Sequence, residues 1–507
     1  MKTIRHFTRL FLLSLFFTGL LTNSLQAQTD FNLSDYKNPD YHWRSLDFRF
    51  GLNGNNSFQK NAFQNNEVNK DYQNTFYGNL NTRYFSVRNS QTYQGSQTYW
   101  LNFAANSNYN KSVSDNSIAS ESSQKYNTQH LALGANSLNR YYNEKKRFFE
   151  VDLNFRGELG NSIRKIESGE EIYPYNYKYH INDYQVSASL PLLVGTGRIE
   201  EVQNARLAVY ILDDLQKAGD LTRIPEKEDV LAFASFITET KNQRYFDSRI
   251  RKIADITAID SFLIVKGLKG QSDASYYTLI NDNWDYAAGP SRSSGRRFSI
   301  GLVPGLGTLF NEWMFYNRDT LNSSAFETTN KNNNQEIFWN VDAVANYVCE
   351  KPLNLYWQQS TQVNVGYSLY KSNLRSKYYT DNMLEYEREV VTNSPNLGLN
   401  MSYTLGYFPN SRTNISMIAG AGIRQYWEDT KVDDDPKVDI NQTDVNGSLI
   451  LTCYYYFSPQ LRLSVNVSEE YYYSLNKYKE AAISNSDVEN TKNFASSITA
   501  SFIYSIF

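Results

Sequence analysis

Histidine, the side chain most often used for acid–base work, is scarce in this chain. Only four occur in 507 residues, His6, His42, His130 and His180. General acid–base or nucleophilic catalysis needs such a group beside a serine, a thiol or a carboxylate. His130 and His180 fall towards the outer ends of two expected strands that are not neighbours, and neither sits in a nucleophile motif. A lone rim histidine is ordinarily a polar lining residue, so the expectation is a protein without catalysis. Leu193-Val194-Gly195-Thr196-Gly197-Arg198-Ile199 imitates a phosphate loop, but Glu200 stands where a dinucleotide site has its third glycine. Its glycines are expected to let the chain leave a strand instead. Gly301, Gly305 and Gly307 around Pro304 read as a strand bend or bulge. Asp433-Asp434-Asp435-Pro436 offers hard oxygen ligands without the spacing of a calcium loop, and reads as a solvated acidic tip. No metal or cofactor is implied, and a net charge of -3 gives no footprint for nucleic acid.

The elements that would carry such residues are long alternating strands. Phe149, Val151, Leu153 and Phe155 face one way while Glu150, Asp152, Asn154 and Arg156 face the other. Leu397, Leu399, Met401, Tyr403, Leu405 and Tyr407 alternate with Asn396, Asn400, Ser402 and Thr404, and Leu461, Leu463, Val465 and Val467 with Arg462, Ser464, Asn466 and Ser468. Such runs predict six strands over 44–193 and eight over 296–507. Connectors alternate between short ones, such as 143–146, 351–353, 409–411 and 458–460, and long polar ones near 113–125, 318–334, 374–393, 429–441 and 477–491. Short turns at one end, long loops at the other and an even strand number are the habits of a membrane barrel. A soluble sandwich would turn its apolar face inward and use shorter strands.

Hydropathy agrees. Mean hydropathy is -0.57, yet aromatics make up 15% and tyrosines number 40. Only alternate barrel residues meet lipid, and tyrosines collect at the interfaces. Residues 1–27 read as a secretory signal, with Lys2, Arg5 and Arg9 before an apolar stretch from Leu10 to Leu21 and a small-residue exit near Ala27. Residues 28–43 form an N-terminal periplasmic segment. Cys349 and Cys453 lie on apolar faces of separate strands and read as lipid-facing or packed thiols, not a redox pair. On the polar faces Asp47, Arg49, Asp152, Arg156, Glu158, Asp342, Arg424 and Arg462 are candidates to line a wet lumen.

Between 194 and 295 the alternation gives way to helical spacing. Val202, Ala205, Val209, Leu212 and Leu215 make one stripe, and Val230, Ala234 and Ile237 follow Pro225. Phe246, Ile250, Ile253, Ile256, Ile259 and Leu263 make a third stripe, and Tyr276, Tyr277, Ile280 and Trp284 mark a fourth helix. Strand parity puts this insert in the periplasm. Arg244, Tyr245, Phe246, Arg249 and Arg251 gather at one helix start and are candidates for docking a periplasmic partner through residues 200–290.

Taken with the ending Ser501-Phe502-Ile503-Tyr504-Ser505-Ile506-Phe507, the strand-and-loop rhythm resembles the outer-membrane β-barrel proteins of Gram-negative bacteria, and the Tyr- and Asn-rich style looks like that of Bacteroidetes. The resemblance implies an all-β transmembrane barrel of about 14 antiparallel strands with an α-helical periplasmic insert. It also implies contact with outer-membrane lipid and delivery by barrel-insertion machinery that reads a terminal Phe on the last strand. The function expected is a channel or transport conduit for small solutes or polymer. The alternative is a membrane anchor whose insert docks an export or envelope-assembly partner.

Overall fold

The computed structural model describes residues 31–62, 68–115, 120–169, 175–242, 248–270, 273–285, 291–321, 324–433, 435–458, 461–480 and 486–504. The signal-like segment, Arg244, Tyr245, Phe246, Asp434 and Phe507 lie outside them. Sixteen strands form one antiparallel barrel-like sheet. They are β1 Tyr41–Ala62, β2 Val68–Ser90, β3 Tyr93–Asp115, β4 Ser120–Tyr142, β5 Arg147–Ser168, β6 Tyr175–Ser189, β7 Leu192–Glu201 and β8 Ser293–Leu321. Then come β9 Ser324–Pro352, β10 Trp357–Thr380, β11 Met383–Asn393, β12 Asn396–Tyr407, β13 Thr413–Val432, β14 Val438–Tyr456, β15 Leu461–Glu480 and β16 Ser486–Tyr504.

Sixteen segments make fourteen staves, because two staves are each broken once. β6 and β7 both run between β5 and β8, and β11 and β12 both run between β10 and β13. The breaks fall at Leu190-Pro191 and Ser394-Pro395. Proline has no N–H to give a ladder, but its carbonyl still accepts. Asp152 N donates to Pro191 O at 3.0 Å and Trp427 N to Pro395 O at 2.9 Å, while Leu190 N and Ser394 N keep their cross-strand acceptors. Each broken stave is one strand missing one bond.

The stretches that read as long loops or a strand exit are largely strand instead. Among the described residues, 113–115, 120–125, 318–321, 324–334, 374–380, 383–393, 429–432, 438–441, 477–480 and 486–491 extend the neighbouring strands, and Leu193 to Glu201 continues as β7. Beyond a bilayer both faces of a strand meet water, so alternation fades while the backbone ladder goes on. Glycine similarly hides β7, because Gly195 and Gly197 interrupt its pattern.

Registers fix the faces. Phe50 opposes Leu80, Asp47 opposes Arg83, Leu399 opposes Ile423 and Asn400 opposes Gly422. Following this parity round the sheet, one face carries Leu46, Phe48, Phe50, Leu302, Leu306, Trp339, Leu399, Met401 and Phe502, all highly exposed. Cys349 and Cys453 lie on this face, and both are free thiols. The other face carries Asn, Ser, Thr and charged residues. Soluble proteins do not expose apolar area on this scale, whereas a lipid-facing wall requires it.

The apolar core of the molecule lies in the insert, outside the barrel. Four helices, α1 Gln203–Ala218, α2 Lys227–Lys241, α3 Ser248–Val265 and α4 Ala274–Asp285, pack around α1. Ala205, Leu207, Ala208, Val209, Ile211, Leu212 and Leu215 bury nearly the whole circumference of α1 against Phe233, Ile237, Ile259, Leu263 and Ile280. Leu33 and Tyr36, just before β1, complete this cluster. Gly219 ends α1 with φ 82°, returning its N–H to Leu215 and Gln216. Glu226 and Asp229 form a capping box on α2, and Asp229 pairs with Arg223 at 2.6 Å. Ile253 departs from its expected stripe and is 62% exposed, because α3 turns the face of Asp255, Ile259 and Leu263 inward instead.

The face assignment can be tested on adjacent residues. Leu399→Arg should cost about 2–4 kcal/mol near a bilayer midplane, read as lost folded fraction in urea titration from lipid vesicles. Asn400→Arg, one residue on, should cost far less. Equal penalties would contradict the two-faced wall.

Candidate functional site

The strand parity brings all eight lumen candidates to the polar face. Asp47 opposes Arg83 and Arg49 opposes Asn81. Asp152, Arg156 and Glu158 follow one another on β5 opposite Leu138, Gly134 and Ala132. Asp342 accepts from Asn340 Nδ2 at 3.0 Å and from Ser368 Oγ. Arg424 donates to the Tyr426 hydroxyl at 3.1 Å and opposes Asp444. Arg462 donates to the Tyr456 hydroxyl at 3.2 Å and lies over the Tyr454 and Tyr456 rings. Asp47, Arg49, Arg156 and Arg424 are exposed, while Asp152, Glu158, Asp342 and Arg462 are half-buried. The Arg156 side chain keeps 60% of its exposure although it is paired with Glu158.

Of the strand histidines, His130 and His180 point to opposite sides of the wall. His130 lies on the polar face at 3.8 Å from Glu158. His180 lies on the outer face and meets Asn161 Nδ2 at 2.8 Å. The sheet does not assemble them into one site.

Three cavities open along the polar face, of about 400, 370 and 330 Å³. Trp100, Asn136, Asn154, Arg156, Phe338 and Asn340 bound the largest. Tyr126, Arg164 and Tyr179 bound the second, and Asn340, Tyr370, Asn396 and Tyr426 the third. The large aromatics escape a sequence reading because each is one ring among many. A signal did exist: Trp100 falls opposite Gly134, and Phe338 opposite Gly307. A Cβ at either glycine would collide with the facing ring, so these rings lie down against the wall instead of standing across the lumen.

The helical insert packs at the barrel end where β1 begins and β9 turns into β10, against Leu33, Tyr36 and Leu355. Two glycines aim it there. Gly197 (φ 92°) and Gly295 (φ 125°) sit nearly opposite each other in the β7–β8 ribbon, and a side chain at either would strike the other strand's backbone. Arg198 then donates to Gln91 O and Asn89 Oδ1, both at 2.9 Å, and Asn38 Nδ2 reaches Glu201 O at 3.0 Å. On the far side, fully buried Arg292 gathers the turn after β9. Its Nη2 donates to Asn354 O and Trp357 O at 2.8 Å, and its Nη1 to Leu355 O. Arg206 and Arg292 both lie against the Phe408 ring, at 5.3 and 5.2 Å, and Tyr210 donates to Phe408 O at 2.9 Å. Asp282 pairs with Arg412 at 3.1 Å. The insert is thus tied to turns on both sides of the mouth.

Of the docking candidates, Arg244, Tyr245 and Phe246 fall outside the described residues, and Arg249 lies in the first turn of α3. Arg251 donates to Lys241 O at 3.0 Å and lies 3.7 Å from Asp255, so it serves the packing of α2 on α3.

No family model and no curated protein matches the chain. Among solved structures, it is similar to the translocator domain of autotransporter NalP from Neisseria meningitidis at 9% identity, covering 77% of this chain and 85% of that one, with a TM-score of 0.22. The transport unit of the autotransporter AIDA-I from Escherichia coli matches at 8% identity over 82% and 91%, with a TM-score of 0.17. OccK7 from Pseudomonas aeruginosa matches at 8% over 90% and 99%, with a TM-score of 0.15.

Inside the insert, Tyr36, Thr238, Asn204 and Lys241 form a polar chain through the apolar core. The Tyr36 hydroxyl is 2.7 Å from Thr238 Oγ1, Asn204 Nδ2 donates to the same oxygen at 2.7 Å, and Lys241 Nζ donates to Asn204 Oδ1 at 3.0 Å. Burial pushes the Tyr36 hydroxyl up to about 12. Burial, reinforced by Arg206 and Arg251, pulls the Lys241 ammonium from 10.5 down to about 8.

Two predictions follow from these contacts. Arg292→Ala strips a buried group from several carbonyls and should cost on the order of 3 kcal/mol. It should be read as faster amide exchange across 203–285 with barrel strands unchanged; exchange unaltered in the insert would contradict the clamp. For Lys241, folded and unfolded states are both protonated below about pH 8, so the full penalty applies there. Between 8 and 10.5 this group binds more protons in the unfolded chain, so its contribution rises with pH, whereas the buried Tyr36, raised from 10, works the other way above about pH 9. The insert's urea midpoint should climb between about pH 8 and 9 in the wild type. In Lys241→Met it should start higher and lose most of the climb.

Proposed function

We propose that this chain is an outer-membrane channel that carries solute or polymer through a polar lumen, with its helical insert as a periplasmic cap. The observation that carries this reading is the wetness of the inner face. An eight-stranded barrel is filled by its own side chains, while sixteen to eighteen strands leave a water channel. Fourteen staves lie between these, and here the lumen keeps three cavities and solvated charges such as Arg156. Both signs of charge occur on the wall, which suits weak ion selectivity. The cap sits at the end of the short turns, such as those after β4, β9 and β12, which in bacterial barrels faces the periplasm. Residues 1–27 would direct export, the last strand would engage the barrel-insertion machinery, and the wall would contact outer-membrane lipid. No catalytic step and no cofactor belong to this reading.

A second reading, the cap as a docking module, is favoured by Ile224, Ile264 and Val265. They are 71%, 54% and 84% exposed on a part of the molecule that the bilayer does not cover.

Purified protein in a planar bilayer should show discrete conductance steps. Replacing 203–285 by a short linker should raise the step size or the open time. Silence from both forms would overturn the channel. Crosslinking in cells that captures a protein at Val265, and loses it on deletion of the insert, would support docking instead.

A further inference from the structure

The chemistry of the lumen cavity bounded by Trp100 and Phe338 says what should pass. We propose that it is a subsite for neutral sugar rings, so that the channel's cargo is an oligosaccharide; this rests on the channel reading above. Trp100 and Phe338 line one cavity of about 400 Å³ from strands five staves apart. Each ring is laid against the wall by a facing glycine, Gly134 or Gly307, and is not buried in an apolar core. A flat ring offers a negative π-face, which the C–H face of a pyranose, slightly positive and apolar, can cover. The same cavity carries Asn136, Asn154 and Asn340, whose planar amides both donate and accept. Vicinal hydroxyls need that pairing, since each must give and take one hydrogen bond.

Other ligand classes fit less well. An anion would want a free cation, but the Arg156 guanidinium is occupied by Glu158. A hydrocarbon would leave the three amides unsatisfied once water is driven out. A cation would want unpaired acids, and none lines this cavity. The pattern recurs along the wall. Tyr126 and Tyr179 stand beside Gln124 and Ser162 in the second cavity, and Tyr370 and Tyr426 beside Asn396 and Thr392 in the third. Asn340 belongs to both the first and third cavities, so the two sites share a wall residue. Repeated weak stacking sites suit a chain molecule that advances ring by ring.

The test uses the full-length protein in a planar bilayer with linear glucose oligomers as blockers. They should interrupt the current at millimolar levels, whereas an open-chain polyol and a tripeptide of similar mass should not. Trp100→Ala should raise the half-blocking concentration at least tenfold, and Trp100→Tyr should restore most of the effect. Should Trp100→Ala fail to assemble, Phe338→Ala and the wild-type ranking of cyclic over open-chain polyols carry the same decision. Current that glucose oligomers never interrupt, or interrupt no better than open-chain polyols or equally in the alanine variants, would overturn the sugar assignment while leaving the channel intact. No current at all would overturn the channel itself.

Discussion

Everything in this molecule answers to one constraint: backbone N–H and C=O groups inside a bilayer have no water to bond and must bond each other. The ladders do this from β1 to β16, and the two broken staves show how closely it is respected. Pro191 and Pro395 remove a donor each, yet their carbonyls and the preceding residues' N–H groups stay in the ladder. Among the described residues no ladder joins β1 to β16, so these strands present a seam. In lipid the seam has to be satisfied, and parity restricts the choice. Odd-numbered residues face the lumen on both strands, so only registers that oppose odd with odd can close it.

The division of labour between barrel and cap follows from the same constraint. A wall with lipid outside and water inside needs no apolar core, so the polar face remains wet and the apolar face exposed. The core is displaced to the insert, where water surrounds the fold and burial can stabilise it in the ordinary way. Gly197 and Gly295 link the two regimes, and buried Arg292 fastens one to the other without an acidic partner, through carbonyls and the face of Phe408. A charged group that is held by backbone oxygens locks geometry more than it adds stability.

Much of the wall could be read from residue order alone. Alternation along Asn396 to Tyr407 assigns each residue to the face where the registers put it, and the helical stripes of Val202 to Leu215 and Val230 to Ile237 describe real buried faces. Reading failed where the physics leaves no periodic trace. The extensions of β8 to β11 run beyond the apolar band, where alternation is not needed, so the sequence over 318–334 and 374–393 reads as loops. Ile253 fits a helical stripe but stays exposed, since α3 buries the face of Asp255, Ile259 and Leu263 and polar Asp255 hides that face from a hydrophobic pattern. Trp100, Phe338 and Arg292 act singly, through a cross-strand glycine or a distant turn, and such pairings become visible only once the register is known.

The central claim is that one face of each stave meets lipid and the other meets water. Spin labels placed singly at 396–407 in vesicles measure this most directly, through collision with oxygen, which concentrates in lipid, and with a water-soluble nickel chelate. The account predicts strict alternation, with 397, 399, 401, 403 and 405 favouring oxygen and 398, 400, 402 and 404 favouring nickel. Labels equally open to nickel at every position, or a repeat near 3.6 residues, would contradict it.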